Sequence, residues 1–191
     1  MSAASSRSSR PVGGAGNPAP GFSIVKCSVG HVLVAFSERG ICRVALGDQP
    51  DRLRRELLAH FSNAELREGD AVTAKWAAQV ADFIESPLSD FDLPLDIQGT
   101  AFQRKVWAAL RKIPVGTTAS YAAIARRIGK PRAVRAVANA CGANRLAVII
   151  PCHRVIRSDG GLGGYGGGVE RKRKLLEIER VRETLQRGAG P

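Results

Sequence analysis

A cysteine and a histidine stand side by side in IIPCHRVI, residues 149–156, with a proline before the pair and an arginine after it. The thiolate is the reactive form of cysteine, and a neighbouring imidazole and cationic side chains favour it. Cys152 is therefore a candidate nucleophile and His153 its base. Pro151 restricts Ile150 to an extended backbone, and adjacent side chains of an extended segment point apart. On that reading His153 reaches the thiol proton through a water. The bland alternative is a buried structural thiol, because free cysteine packs as a small hydrophobe. Spacing alone leaves both readings open.

The other cysteines, Cys27, Cys42 and Cys141, form no CxxC pair with one another or with Cys152. Cys27 and His31 fall four apart in a strand-like stretch, which points both to one face, with Cys42 near in sequence. No fourth ligand follows, so core thiols are the better reading and no metal is expected. Four cysteines in 191 residues are few for a disulfide scaffold, and no export signal is apparent, so the thiols are expected reduced in the cytoplasm. No apolar run approaches the roughly 20 residues of a membrane span. Charge is uneven: residues 1–100 hold ten Lys/Arg against twelve Asp/Glu, and residues 101–191 hold nineteen against five. A basic half joined to a near-neutral one implies a polyanionic partner.

The elements that must position the Cys–His pair follow from periodicity. Residues 1–21 are rich in Ser, Ala, Gly and Pro and read as a disordered tail or linker. FSIVKCS, HVLVAFS and GICRVALG are short β-rich runs separated by turn signals, an antiparallel meander. Leu53, Leu57, Leu58 and Phe61, then Val72, Trp76, Val80 and Phe83, recur at helical spacing. The Pro- and Asp-rich stretch 86–99 is the connection between an α/β unit, residues 22–97, and a mainly helical unit, residues 98–181. Residues 182–191 read as a flexible C-terminus. Thr100 is a candidate N-cap for a helix whose apolar stripe is Phe102, Val106, Leu110 and Ile113, with Trp107 beside it in the core.

SYAAIARRIGKPRAVRAVANACG has the pattern of a helix-turn-helix. Tyr121 to Ile128 forms a helix that Gly129 stops in a left-handed conformation. Ala125 is small where two helices cross, and Pro131 suits the first turn of the second helix. That helix is slim and apolar, with Arg132 and Arg135 as its polar reach. It lacks the side chains that hydrogen-bond base edges in the major groove, and it suits a minor groove entered with little regard to sequence.

PCHRV, preceded by SYAAIARRIGKPRAVRAVANACGAN and followed by GGYGGG, closely resembles the O6-alkylguanine-DNA alkyltransferases, above all the C-terminal domain of the adaptive-response (Ada-type) proteins. The likeness runs from about Phe22 to Glu179. It implies a ribonuclease-H-like α/β domain followed by the helix-turn-helix domain. It also implies a monomer without cofactor or metal that acts on double-stranded DNA carrying O6-alkylguanine, with O4-alkylthymine a second candidate base. By the same resemblance Cys152 accepts the alkyl group, His153 takes its proton through a water, and Glu179 orients His153. Asn144 ties the recognition helix to the active-site loop, and Tyr121 lies at the flipped nucleotide. Arg135 enters the base stack, with Arg132 and Ala136 beside it on the DNA. Tyr165 is the aromatic wall of the guanine pocket, and the backbone of Cys152 and Val155 reads the base edge. Gly166 stands where some members have a serine, so its backbone amide serves instead, and the glycine-rich loop implies a roomy or mobile wall.

Three rivals compete. Alkyltransferase-like binders lack the cysteine, which is present here. A cysteine hydrolase leaves the basic half unexplained. A sequence-specific regulator needs a more polar second helix.

Overall fold

The computed structural model describes residues 21–60, 67–69, 71–88 and 91–188. The expected tail, Gly21 excepted, Phe61 and residues 189–191 lie outside that set. Strands β1 (Gly21–Cys27), β2 (Gly30–Ser37) and β3 (Gly40–Gly47) form the antiparallel meander, and β4 (Arg67–Glu68) adds to β1 in parallel, giving the order β3-β2-β1-β4. β2 is buried on both faces, with Val32, Leu33, Val34, Ala35 and Phe36 each at most 1% exposed. The alternation of a strand explains why. Leu33 and Ala35 pack on Leu53 and Leu57 of helix α1 (Pro50–His60). Val32, Val34 and Phe36 pack in the main core with helix α2 (Ala71–Glu85), where the Phe36 and Trp76 rings meet edge to face at 5.6 Å. Each fully buried side chain of this kind contributes about 1.5–3 kcal/mol.

Two stripe assignments need correction. Leu58 and Val72 are exposed; the buried positions of α2 are Thr73, Trp76, Ala77, Val80 and Ile84. A stripe at i, i+3, i+4, i+7 excludes Val72, which falls a quarter-turn away from Thr73. The reading of Cys27 and His31 as one strand face also fails: a turn separates them, and Cys27 pairs with Gly30 while His31 pairs with Lys26. Among the described residues, no group of three His, Cys, Asp or Glu side chains is placed to hold a metal ion, and no helix is long and apolar enough to cross a membrane.

The outer edge of β3 decides where the second half of the chain sits. Ile41 N–H donates to the Pro94 carbonyl at 2.8 Å and Asp96 N–H to Ile41, so the connection lies along this edge. Gly40 permits the crossing: a Cβ there would come 2.2 Å from the Pro94 oxygen. Farther along, Val44 N–H donates to Arg145 and Ala147 N–H to Val44. The approach to Cys152 is thus laid directly against the N-terminal sheet, and the edge has no free ladder at these points.

Helix α3 (Ala101–Leu110) opens with a full capping box, Thr100 accepting from Gln103 N–H and Gln103 accepting from Thr100 N–H. Its Val106, Trp107 and Leu110 are buried, and Trp107 Nε1 donates to the Ala140 carbonyl at 2.8 Å. Strand β5 (Ala119–Ser120) leads into α4 (Tyr121–Arg127), and Gly129 at φ 72° ends that helix. Pro131 is not in the next helix. α5 (Val134–Gly142) starts three residues later, and Ala133 N–H donates to Lys130, so Pro131 is the second residue of a tight turn. Proline's fixed φ suits that position as well as it suits a helix start. Strand β6 (Val155–Ile156) pairs in parallel with β5, and α6 (Val169–Gly188) closes the described chain.

Candidate active site

The backbone on either side of Ile150 is tightly wound, and the extended segment expected at Cys152 and His153 is not formed. Ile149 N–H donates to Ala147 at 2.8 Å around Val148, whose φ is 69°. A β-branched residue at positive φ is strained. Cys152 N–H donates to Ile150 at 2.8 Å around Pro151 (φ −79°, ψ 62°), the dihedrals of an inverse γ-turn. Residues Cys152–Arg154 then form a single 3-10 turn. Two γ-turns and a 3-10 turn in sequence give Cys152 and His153 directions that an extended strand does not allow.

Asn144, just past α5, locks this segment. Its Nδ2 donates to the Ile150 carbonyl at 2.8 Å and to Cys152 Sγ at 3.2 Å, and its Oδ1 accepts from Leu146 N–H at 2.9 Å. Burial pushes the Cys152 thiol above the ordinary cysteine range, against which the Asn144 bond and the Lys172 charge favour the thiolate.

His153 is wholly buried, and its Nε2 lies 2.7 Å from Glu179 Oε1. Burial lowers its proton affinity below the ordinary value of 6.5, Glu179 pulling the other way. The neutral ring therefore donates Nε2–H to the carboxylate, which leaves a lone pair on Nδ1. Nδ1 is buried and has no hydrogen-bond partner in the described protein. Burial acts to raise the Glu179 proton affinity, but bonds from His153 and Arg154 outweigh it and hold the carboxyl below its usual range.

Arg154, Lys172 and Gly116 complete the site, and the sequence reading missed all three. Arg154 places Nε 3.0 Å from both Glu179 oxygens, Nη2 at 2.9 Å from Oε1, and donates Nη1 to the Ile113 carbonyl at 2.6 Å. Gly116 N–H reaches Glu179 Oε2 at 3.4 Å. Lys172 has no exposed surface and donates Nζ to the carbonyls of Val155, at 2.6 Å, and Leu162. The available signal was spacing: Lys172, Leu175 and Glu179 share one face of α6, and all three are buried. Charged residues on a helix's apolar stripe are rarely there without partners.

The β5–β6 pairing, Ala119 to Val155 and Ser120 to Ile156, sets Tyr121 beside the Cys152 turn. Ser120 caps its helix by accepting from Ala123 N–H at 3.1 Å. Burial raises the half-buried Tyr121 phenol, so it stays protonated at neutral pH and can donate. Tyr165 packs edge-on to His153 with ring centroids 6.5 Å apart, and its buried hydroxyl has no partner in the described protein. Val155 is buried, its carbonyl occupied on one lone pair by Lys172 and its N–H by Cys152; each carbonyl keeps a second lone pair. Gly166 is exposed on the same loop as Tyr165. Arg132, Arg135 and Ala136 are not part of this corner: all are exposed, Arg132 in the turn before α5 and the other two on its outer face.

This corner gathers a thiol, a buried neutral imidazole with an unused Nδ1 lone pair, and a protonated phenol. The family model for the 6-O-methylguanine DNA methyltransferase DNA-binding domain matches residues 101–181. The bifunctional transcriptional activator/DNA repair enzyme Ada of Escherichia coli is 49% identical over 170 residues, 89% of this chain, and the chain spans 48% of that relative's length. The methylated-DNA–protein-cysteine methyltransferase of Methanosarcina barkeri is 40% identical over 83% of this chain and 96% of its own. A crystal structure of Mycobacterium tuberculosis OGT in complex with DNA superposes with a TM-score of 0.71 at 37% identity, covering 84% of this chain and 93% of that one. The α/β fold, an antiparallel sheet with helices, is shared with it. Identity of this depth across nearly the whole of a relative places the chain in the methylated-DNA–protein-cysteine methyltransferase family.

Proposed function

We propose that the chain repairs alkylated DNA by moving the alkyl group from guanine O6 onto Cys152, once per molecule. The bonded set Asn144–Cys152 and His153–Glu179 is the observation that carries this reading. The thiol proton passes to His153 Nδ1 through a water. Sγ attacks the alkyl carbon in line as the carbon–O6 bond breaks, and the Tyr121 hydroxyl gives the departing guanine a hydrogen bond or a proton. The thiol proton held by His153 returns through water to restore the phenol, so that guanine leaves with one proton in place of the alkyl group. The product is a thioether, which nothing in this corner can reverse. A carbon on O6 is inaccessible inside a duplex, so the nucleotide is flipped out. α4 and α5 serve as the helix-turn-helix, with Arg135 in the vacated space and Arg132 and Ala136 on the adjacent backbone and groove. The N-terminal unit is ribonuclease-H-like, and the division falls near residue 97. The protein acts as a monomer and needs no metal or cofactor.

The test is incubation with duplex DNA carrying labelled O6-methylguanine. Label is expected on the Cys152 peptide alone, at a plateau of about one equivalent, unchanged by chelator. Repeated turnover, or label on Cys141, would refute the assignment.

A further inference from the structure

Arg171 is a cation to which the chemistry above assigns no step. It lies in the first turn of α6 with its side chain 12% exposed, and it reaches three separate parts of the molecule. Nε donates to the Val29 carbonyl, in the turn between β1 and β2, at 2.8 Å. Nη2 donates to Asp48 Oδ1, just past β3, at 2.7 Å, and Nη1 donates to the Gly167 carbonyl. One guanidinium thus joins the N-terminal sheet to the glycine-rich loop that carries Tyr165.

That loop has little means of holding Tyr165 by itself. Gly163, Gly164, Gly166, Gly167 and Gly168 surround the tyrosine, and glycine gives up the most backbone freedom when ordered. Lys172 ties the loop's near side through Leu162 and Val155. Arg171 ties its far side. Gly167 lies between the two groups: a Cβ built there would stand 2.9 Å from Tyr165 Cε1 and 3.6 Å from Arg171 Cδ. A shift of the Gly167 backbone is therefore felt by the phenol ring.

We propose that Arg171 is a positioning residue through which the N-terminal sheet holds the Tyr165 wall of the base pocket. This rests on the alkyl-transfer reading and its assignment of Tyr165 to that pocket. The two carbonyl bonds do most of the holding. Asp48's side chain is 87% exposed, and an ion pair so open to water contributes little. A planar fork reaches three acceptors spread around it through three different nitrogens, and the single nitrogen of a lysine ammonium cannot span them.

The experiment is single-turnover transfer at saturating protein, with O6-methylguanine in duplex DNA and as the free base, alongside duplex affinity. Arg171→Lys should slow saturated transfer by about tenfold or more on both substrates alike, the size expected when a reacting group is misplaced by a fraction of an ångström. Duplex affinity should be unchanged, and Asp48→Ala should react within about twofold of wild type. Gly167→Ala leaves Arg171 in place but drives a methyl group into the Tyr165 ring, and it should reproduce the loss on both substrates. Saturated rates equal to wild type for Arg171→Lys or Gly167→Ala overturn the proposal, as does a loss confined to duplex affinity. A wild-type chain that takes up no label overturns alkyl transfer and this role together. A reactive wild type beside an equally reactive Arg171→Lys overturns this role alone.

Discussion

The corner around Cys152 and the outer face of α5 handle charge in opposite ways. In the corner, Glu179, Arg154 and Lys172 are buried and bonded within the chain. On α5, Arg135 and Ala136 face solvent, as does Arg132 just before it. Buried charges must find partners inside the fold, because desolvation costs several kcal/mol per ion. Exposed arginines carry no such penalty and remain available to a polyanion. On the alkyl-transfer reading proposed above, a preorganised corner and an uncommitted basic face are the two things that a single-use reagent on DNA requires. On that reading the first sets reactivity and the second sets where the reagent goes.

The sharpest way to break this comparison is to separate the two regions. Cys152→Ala should abolish transfer entirely while duplex affinity stays within about twofold, since the basic face is untouched. Loss of both in a folded variant would mean that the regions are not distinct. Next in size is Glu179→Gln, which keeps the volume but leaves Arg154 as an uncompensated buried cation. Denaturant unfolding should register a loss of about 3–5 kcal/mol, and a change below about 1 kcal/mol would mean that the corner's charges are solvated after all.

The pH response probes the same corner. His153 and Glu179 both hold protons less tightly when folded than their ordinary values of 6.5 and 4.5. Groups depressed on folding contribute stability that is present above the unfolded value and is lost as pH falls through the folded one. Transfer should therefore hold level as pH falls from about 8 to about 6.5 and decline only below that, by up to about tenfold per pH unit as His153 gains a proton. A rate profile with its acid midpoint above 6.5 would contradict the neutral buried imidazole.

Arg135→Ala tests the other region. It should cost about 1–3 kcal/mol on duplex substrate, comparable to stacking of a side chain on a base, and almost nothing on the free base. Arg135→Lys should recover little of the loss, because a lysine has no planar group to stack. Equal losses on duplex and free base would remove Arg135 from the flipping role. The smallest effect is kept for a position outside both regions. Thr100→Ala removes the cap of α3 and should lower stability by about 1 kcal/mol without altering saturated transfer.

Much of the local structure was legible because it depends on neighbours in sequence. The three-stranded meander, the Thr100 cap, the left-handed stop at Gly129 and the core position of Trp107 all follow from period and turn chemistry. Errors arose where one residue type suits two local geometries. Pro131 fits a turn as well as a helix start, and here the turn prevails. Pro151 restricts only Ile150 before it; from Pro151 onward a γ-turn and a 3-10 turn replace the extended segment expected at Cys152 and His153, and Asn144 grips Ile150 and Cys152 together.

What the sequence by itself determined was the chemistry on offer: a thiol beside an imidazole, a carboxylate on a late helix, a basic half and a slim second helix. Only the tertiary structure decided how these groups are joined. Arg154 against Glu179, Lys172 against Val155 and Arg171 against Val29 are contacts between segments 25, 17 and 142 residues apart. No local period encodes such pairs. They form because the edge of β3 draws residues 94–96 and 145–147 against the N-terminal sheet, and α6 must then bury its charged face on whatever that arrangement leaves exposed.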